Sequence, residues 1–177
     1  AGEALLSRGG QGNDSITSGA LTDVLFGGGG NDTLLGNDGD DTVAGGGGND
    51  SINTGVGNDL IRGGDGDDSI GGMAGRDTVE GGRGNDFIAW NDPTGDLVSG
   101  GAGDDTIIGG NIAADTIEGG AGADSIQAFA TAPADATAGD TIAGGAGNDT
   151  IAGGDSADAL SGGADDDVLS GNGGDAT

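Results

Sequence analysis

The sequence contains no cysteine, histidine or tyrosine, and aromatic side chains occupy only 2% of its 177 positions. Without cysteine the chain cannot build a disulfide framework. Without histidine or cysteine it lacks the usual zinc ligands and the bases of hydrolytic triads, and no serine is placed beside another base. These absences predict that the chain is not an enzyme and has no catalytic residues.

Basic residues are almost as rare, since four lysine and arginine residues stand against 31 aspartate and glutamate residues and leave a net charge of −27. A surface of this sign repels nucleic acid and anionic membranes, so we expect neither as a partner. No apolar run approaches the roughly 20 residues of a membrane helix, and no signal peptide is visible, so we expect no membrane insertion. The charge favours a cation as partner.

Glycine is abundant, with 46 residues, and it recurs with a period of nine. The units starting at Gly27, Gly45 and Gly81 read GGGGNDTLL, GGGGNDSIN and GGRGNDFIA. At seventeen positions in register with the repeat, from Asp14 to Asp167, an aspartate is followed two residues later by Ile, Leu or Val. Acidic, glycine-rich sequences are typical of disorder, but a disordered chain has no reason to keep this register. The periodicity therefore predicts a repeat architecture.

Alternate units differ in regularity, which makes the true period about eighteen residues, or one turn of a coil. Every second unit opens with Gly-Gly, and we call the turns of these units the strict edge; they begin at Gly9, Gly27, Gly45, Gly63, Gly81, Gly100, Gly119, Gly144 and Gly162. The turns between them form the loose edge. All length changes fall there: one residue near 90–99, one near 109–118 and seven near 128–143, with an Ala/Thr/Pro-rich insertion at about 128–139.

The unit G-G-x-G-x-D-x-U-x resembles the RTX (repeats-in-toxin) calcium-binding family, and the resemblance covers nearly the whole chain. It implies an all-β fold: a right-handed parallel β-roll, or β-solenoid, forming a single domain over residues 1–177. About nine 18-residue turns would build two parallel sheets, with calcium-binding turns along both edges. Six residues of each unit are expected to form a glycine turn, and the last three a short strand whose aliphatic residue points inward.

The four aromatic residues do not occupy the inward position of the repeat. We therefore expect Phe26, Phe87, Trp90 and Phe129 to be partly covered surface residues. Trp90 belongs to the loose-edge bulge WNDPTGD. An exposed tryptophan there would be available to a glycan or to a lateral protein partner.

The resemblance also implies several calcium ions, each held between two stacked turns by turn carbonyls and by the aspartate in the sixth position of the repeat. Calcium takes six to eight oxygen ligands and accepts this mixture. On the strict edge the implied ligands are Asp14, Asp32, Asp50, Asp68, Asp86, Asp105, Asp124, Asp149 and Asp167. On the loose edge they are Asp41, Asp59 and Asp77. Insertions or a missing fourth-position glycine make five others weaker candidates, namely Asp23, Asp96, Asp115, Asp140 and Asp158.

The favoured function is a calcium-rigidified structural segment of a secreted bacterial surface assembly, such as a filament, a surface layer or an adhesin stalk. The alternative is a calcium-triggered folding and secretion module of a larger RTX enzyme or toxin. The ends at 1–8 and 171–177 are expected to be open and to stack head to tail. Joining Thr177 to Ala1 gives GNGGDATAGEALLSRGG, which resembles the chain's own ADATAGDTIAGG at 134–145.

The aspartate column and the small apolar content predict that folding requires calcium. Like charges about 5 Å apart repel by about 3 kcal/mol at an effective dielectric constant near 20. Circular dichroism in chelator is expected to report a coil, and calcium on the order of 10⁻⁴–10⁻³ M is expected to convert it to β structure. Equimolar magnesium is not expected to do so. A β spectrum that does not depend on calcium would contradict this prediction.

Overall fold

The structure, a computed structural model, describes residues 4–110, 113–128 and 139–171. These residues form strands and turns and no helix. No segment of this described part could cross a membrane as a helix. The strands are β1 (Leu6–Gln11), β2 (Ser15–Thr17), β3 (Val24–Gly29), β4 (Thr33–Leu35), β5 (Thr42–Gly47), β6 (Ser51–Val56), β7 (Leu60–Asp65), β8 (Ser69–Ala74), β9 (Thr78–Arg83), β10 (Phe87–Ala89), β11 (Leu97–Ala102), β12 (Thr106–Gly109), β13 (Thr116–Ala121), β14 (Ser125–Ala128), β15 (Thr141–Ala146), β16 (Thr150–Ala152), β17 (Ala159–Ala164) and β18 (Val168–Ser170).

The strands alternate between two parallel sheets. The odd-numbered strands form one nine-stranded sheet in the order β1-β3-β5-β7-β9-β11-β13-β15-β17, and the even-numbered strands form the other in the order β18-β16-β14-β12-β10-β8-β6-β4-β2. Each strand therefore pairs with the strand one coil turn away. About eight full turns lie between the first and last strands, and this arrangement confirms the predicted all-β parallel roll.

The pairing register shows between which strands the chain lengthens. Leu25 pairs with Val43, 18 residues later, whereas Val79 pairs with Val98, 19 residues later. Ile117 pairs with Ile142, 25 residues later. The extra residues leave the strand register unchanged because the turns of the loose edge absorb them. Most of the expected insertion at 128–139 lies outside the described residues, and so do residues 1–3 and 172–177 of the expected end segments at 1–8 and 171–177.

The inward aliphatic residues form the core, as the repeat predicted. Leu25, Leu34, Ile61 and Ile88 are fully buried between the two sheets. The side chains before and after each of them point outward, because successive residues of a strand face opposite sides. Each turn thus adds two aliphatic residues to a narrow core that runs the length of the roll.

The strands of the odd-numbered sheet are longer than the three residues that the repeat predicted. They extend for six residues, through the third position of the following strict-edge turn. Gly28 pairs with Gly46 and Gly29 with Gly47, so identical glycine turns continue the ladder. Five strands of the other sheet have three residues, because the loose-edge turns that follow them vary in sequence and stack less regularly.

Trp90 is buried, and the expectation of a partly exposed surface residue was wrong. It is 5% exposed and belongs to the hydrophobic core, together with Met73. Trp90 takes the first position of a loose-edge turn, which faces the interior of the roll. Its indole ring packs against Gly109 and Gly110, where added Cβ atoms would lie only 3.0 and 3.2 Å from the ring. The indole is therefore not free to contact a glycan or a lateral partner.

The other aromatic residues lie as expected where the structure describes them. Phe87 is 45% exposed. Phe26 is half-buried, and the guanidinium of Arg8 lies 4.6 Å from the centre of its ring. This contact is a cation–π interaction on the outer face of the odd-numbered sheet. Phe129 lies outside the described residues.

Two neighbouring glycines provide a test of this stacking. Gly46 has φ of 117°, and an added Cβ would lie 3.0 Å from the carbonyl carbon of Gly28. Gly47 lacks a positive φ, and an added Cβ would meet nothing within 4 Å. In saturating calcium we expect Gly46→Ala to lower the free energy of unfolding by about 2–3 kcal/mol and Gly47→Ala to leave it nearly unchanged. Urea denaturation measures both values, and equal losses would contradict the observed packing.

Candidate metal centre

The sixth-position aspartates of the strict edge form a continuous column. The backbone N–H of Asp14 donates to Oδ1 of Asp32 over 2.8 Å, and that of Asp32 donates to Oδ1 of Asp50 over 2.7 Å. The same bond recurs at every step to Asp167. Each carboxylate is therefore held in place by the backbone of the preceding turn.

The loose edge carries an equivalent column, which includes aspartates that the sequence ranked as weak. Asp23 N–H donates to Oδ1 of Asp41 over 2.8 Å, and the bond recurs at every following step. The loose column therefore contains Asp41, Asp59 and Asp77 and also all five weaker candidates, namely Asp23, Asp96, Asp115, Asp140 and Asp158. The Asp-x-aliphatic spacing, which persists across the insertions, marked these positions better than the fourth-position glycine did.

The second carboxylate oxygen of most of these residues is buried without a hydrogen-bond partner. In the part of the chain that the structure describes, this holds for Oδ2 of Asp14, Asp32, Asp41, Asp50, Asp59, Asp68, Asp77, Asp86, Asp96, Asp105, Asp124, Asp149 and Asp158. A buried, unpaired carboxylate oxygen is costly. Recurring along both edges, it indicates that the columns are built for cations.

Burial governs the titration of these carboxyl groups. It raises the pKa of Asp77, Asp86 and Asp115 to about 7, with the charges of neighbouring aspartates adding to the rise and the hydrogen bond from the preceding turn opposing it. Asp23 is an exception, because the backbone N–H of Leu5 lowers its pKa. Without a counterion the interior of each column disfavours the ionised form. A divalent cation between the turns would reverse that preference.

Backbone oxygens lie close to the unpaired carboxylate oxygens. An added Cβ on Gly27 would collide with Oδ2 of Asp32 and would lie 2.6 Å from the carbonyl oxygen of Gly45. The same arrangement recurs at Gly45 and Gly63. Among the described residues no three acidic side chains converge on one point. An ion at these edges would therefore be held by aspartate oxygens together with turn carbonyls, a mixture that suits calcium.

A second polar ladder, at the fifth position of the repeat, was not found by the sequence reasoning. Asn31 N–H donates to Oδ1 of Asn13 over 2.8 Å, and Asn85 N–H donates to Oδ1 of Asp67 over 2.8 Å. These bonds point back to the preceding turn, opposite to those of the sixth position, and they are exposed. Because asparagine and aspartate both serve here, the position needs a side-chain oxygen and not a charge. The recurring Asn-Asp pair was its signal.

Comparison with known families identifies the repeat. The family model for the RTX calcium-binding nonapeptide repeat (four copies) matches residues 8–34, 17–52, 53–88, 110–130, 136–169 and 153–175. These segments cover well over half of the chain. The chain belongs to this RTX family. A search of curated proteins found no match.

Membership has consequences for the site and for the chain. RTX repeats are calcium-binding repeats of an extracellular type, they are typical of secreted proteins, and their β-rolls are generally non-catalytic. The twelve ligand positions predicted from the sequence all lie in the two RTX columns. Asp14 and Asp167, at the ends of the strict column, are half-buried, and the other ten are buried.

Asp50 and Asp67 provide a matched test of these columns. Asp50→Asn keeps an oxygen for the Asp32 N–H but replaces the unpaired oxygen with an amide that cannot bind a cation. We expect the free energy of unfolding to fall by about 1–3 kcal/mol. We also expect the calcium concentration at the midpoint of folding to rise several-fold in a circular dichroism titration. Asp67→Asn removes the same charge from the exposed fifth position, where asparagine occurs in neighbouring turns, and is expected to leave the midpoint unchanged. Equal midpoints for the two variants would refute the assignment.

Proposed function

We propose that the chain is a calcium-rigidified structural segment of a secreted bacterial surface assembly, such as a filament, a surface layer or an adhesin stalk. The observation that carries this proposal is the unbroken aspartate column on each edge. All the described strands belong to the roll, and all its turns serve one edge or the other. An element of this kind transmits load along its axis.

The rigidity would come from links between successive turns. Oδ1 of each sixth-position aspartate already ties its turn to the preceding one, while Oδ2 remains available to a cation. Calcium would supply positive charge and further bonds to oxygen at each step. The proposed ligands are the nine strict-edge aspartates from Asp14 to Asp167 and Asp41, Asp59 and Asp77 on the loose edge.

The polarity of the ladders favours head-to-tail association of two copies. Within the described roll no turn precedes Asp14 and no turn follows Asp167. If a second copy stacked in register, Asp167 N–H would donate to Oδ1 of its Asp14, as Asp149 N–H donates to Asp167 over 3.0 Å. Ser15 N–H of that copy would donate to the carbonyl of Asp167, as Val168 N–H donates to that of Asp149 over 2.8 Å.

Apolar side chains at the two ends support the same arrangement. At the first turn Leu5 is 41% exposed, and the inward position that pairs with the fully buried Leu25 is held by Ser7. At the other end Leu169 is 42% exposed, whereas Ile151, one turn earlier, is 1% exposed. Stacking a second copy on either end would continue the apolar core and cover these side chains.

The alternative function is a calcium-triggered folding and secretion module of a larger RTX enzyme or toxin. Both functions predict folding on calcium binding, so calcium titration alone does not separate them. Association along the roll axis does separate them, because a secretion module has no need to polymerise through its ends.

Head-to-tail association is tested with a variant that removes one donor at the junction. In millimolar calcium we expect axial polymers of the wild-type chain by electron microscopy and sedimentation. Ser15→Pro deletes the N–H directed at the preceding copy, at the first residue of strand β2, where proline is tolerated. It should lower the polymer fraction while the calcium-induced circular dichroism change persists. Ser15→Thr is the matched control and should polymerise like the wild type.

The outcomes divide the two functions. A wild-type chain that remains monomeric in calcium, although folded, would reject the filament-forming role and favour the secretion module. Equal polymerisation of Ser15→Pro and the wild type would reject the proposed register of the junction.

A further inference from the structure

The loose-edge bulge between strands β10 and β11 replaces a backbone oxygen with a carboxylate. In regular loose-edge turns the fourth-position glycine donates to the next turn's third-position carbonyl, as Gly57 N–H does to Ala74 over 2.8 Å. At the bulge, Gly75 N–H donates instead to Oδ2 of Asp92 over 2.8 Å. Asp92 therefore restores the link between turns that the longer loop interrupts.

Thr94 fixes the orientation of this carboxylate. Its hydroxyl lies 2.7 Å from the carbonyl oxygen of Gly75 and also within hydrogen-bond distance of Oδ2 of Asp92. With one hydrogen to donate, the hydroxyl bonds one of these oxygens at a time. Both contacts involve Gly75 or the same oxygen of Asp92, so neither uses Oδ1.

The other oxygen, Oδ1 of Asp92, is buried and has no hydrogen-bond partner within the described residues. Asp77 lies on the turn before the bulge, and Asp96 lies on the bulged turn itself. They are 1% and 4% exposed, and Oδ2 of each has no hydrogen-bond partner among the described residues. Among the described residues, three buried carboxylate oxygens of these two turns thus lack a hydrogen-bond donor.

No basic side chain balances Asp92. The ion pairs found in the described part of the chain are Arg62–Glu80 and Arg83–Asp65. Arg76 is close enough to lower the pKa of Asp96 but forms no ion pair with Asp92 there. The negative charge of Asp92 is therefore left for a cation from solution to neutralise.

We propose that Asp92 is an additional calcium ligand, binding through Oδ1 an ion held between the Asp77 and Asp96 turns. This inference rests on the proposed calcium-binding function and extends it to a residue outside the nonapeptide pattern, since residues 89–109 fall outside the matched segments. The three side chains do not converge on one point, so turn carbonyls complete the ligand set. A carboxylate at the bulge, where regular loose-edge turns have a neutral backbone oxygen, raises the affinity of this site for calcium above that of its loose-edge neighbours.

Trp90 makes this site selectively observable. It is the single tryptophan of the chain and lies two residues before Asp92. Terbium, a luminescent substitute for calcium, emits on tryptophan excitation only when it is bound nearby. Sensitised emission therefore reports on the ion nearest the bulge, and competition with calcium gives the affinity of that ion.

Three variants separate a ligand from a structural residue. Asp92→Asn keeps an oxygen for Gly75 N–H but removes the charge, and it should raise the terbium midpoint and the competing calcium midpoint about tenfold or more. Asp155→Asn removes an exposed charge from another loose-edge turn and should change neither midpoint. Thr94→Val removes the hydroxyl contacts that orient the carboxylate while keeping its charge, and it should raise the midpoints by much less than Asp92→Asn does.

Two results would overturn the inference. An unchanged midpoint for Asp92→Asn would mean that Arg76 or solvent balances Asp92. A shift of equal size for Thr94→Val would mean that the bulge contributes only loop structure. Failure of the proposed function is distinguishable from both, because the wild-type chain would then give no calcium-dependent circular dichroism change and no sensitised emission.

Discussion

The stacking of buried aspartates at every turn is the constraint on which the rest of the roll depends. A carboxylate taken out of water needs donors or a counterion. The backbone of the preceding turn satisfies Oδ1 of Asp50, while Oδ2 remains without a donor. Each turn repeats a carboxylate that has one bonded and one unpaired oxygen. The stacking that forms the fold therefore also creates its affinity for cations. For the same reason we expect calcium binding and folding to be coupled.

Glycine makes this arrangement possible on the strict edge and explains why that edge tolerates no change of length. Gly27 leaves no room for a side chain beside Asp32 and the carbonyl of Gly45. The loose edge keeps the aspartate column but repeats this glycine geometry only in part, as at Gly36 beside Asp41 and the carbonyl of Thr54. It accommodates Trp90 in the interior and extra residues in the bulge, and Asp92 there takes over the role of a backbone oxygen.

The two polar ladders run in opposite directions and give the roll a polarity. Sixth-position N–H groups donate toward the following turn, whereas fifth-position N–H groups donate toward the preceding one. The first and last turns therefore offer complementary groups. The proposed head-to-tail association would use these groups, and calcium between turns would strengthen an interior step and a junction alike.

The sequence by itself determined the parallel two-sheet roll, the inward aliphatic column, the position of each insertion and the aspartates of both columns. The roll follows from the resemblance to the RTX family, and the other features follow from periodicity, since one register repeated every eighteen residues places equivalent side chains on the same face. The tertiary structure alone decided the burial of Trp90, which depends on the space left by Gly109 and Gly110 one turn away. It also decided the fifth-position ladder and the contact between Asp92 and Gly75. These features depend on what lies one turn away in space, and a local pattern of residues does not encode it.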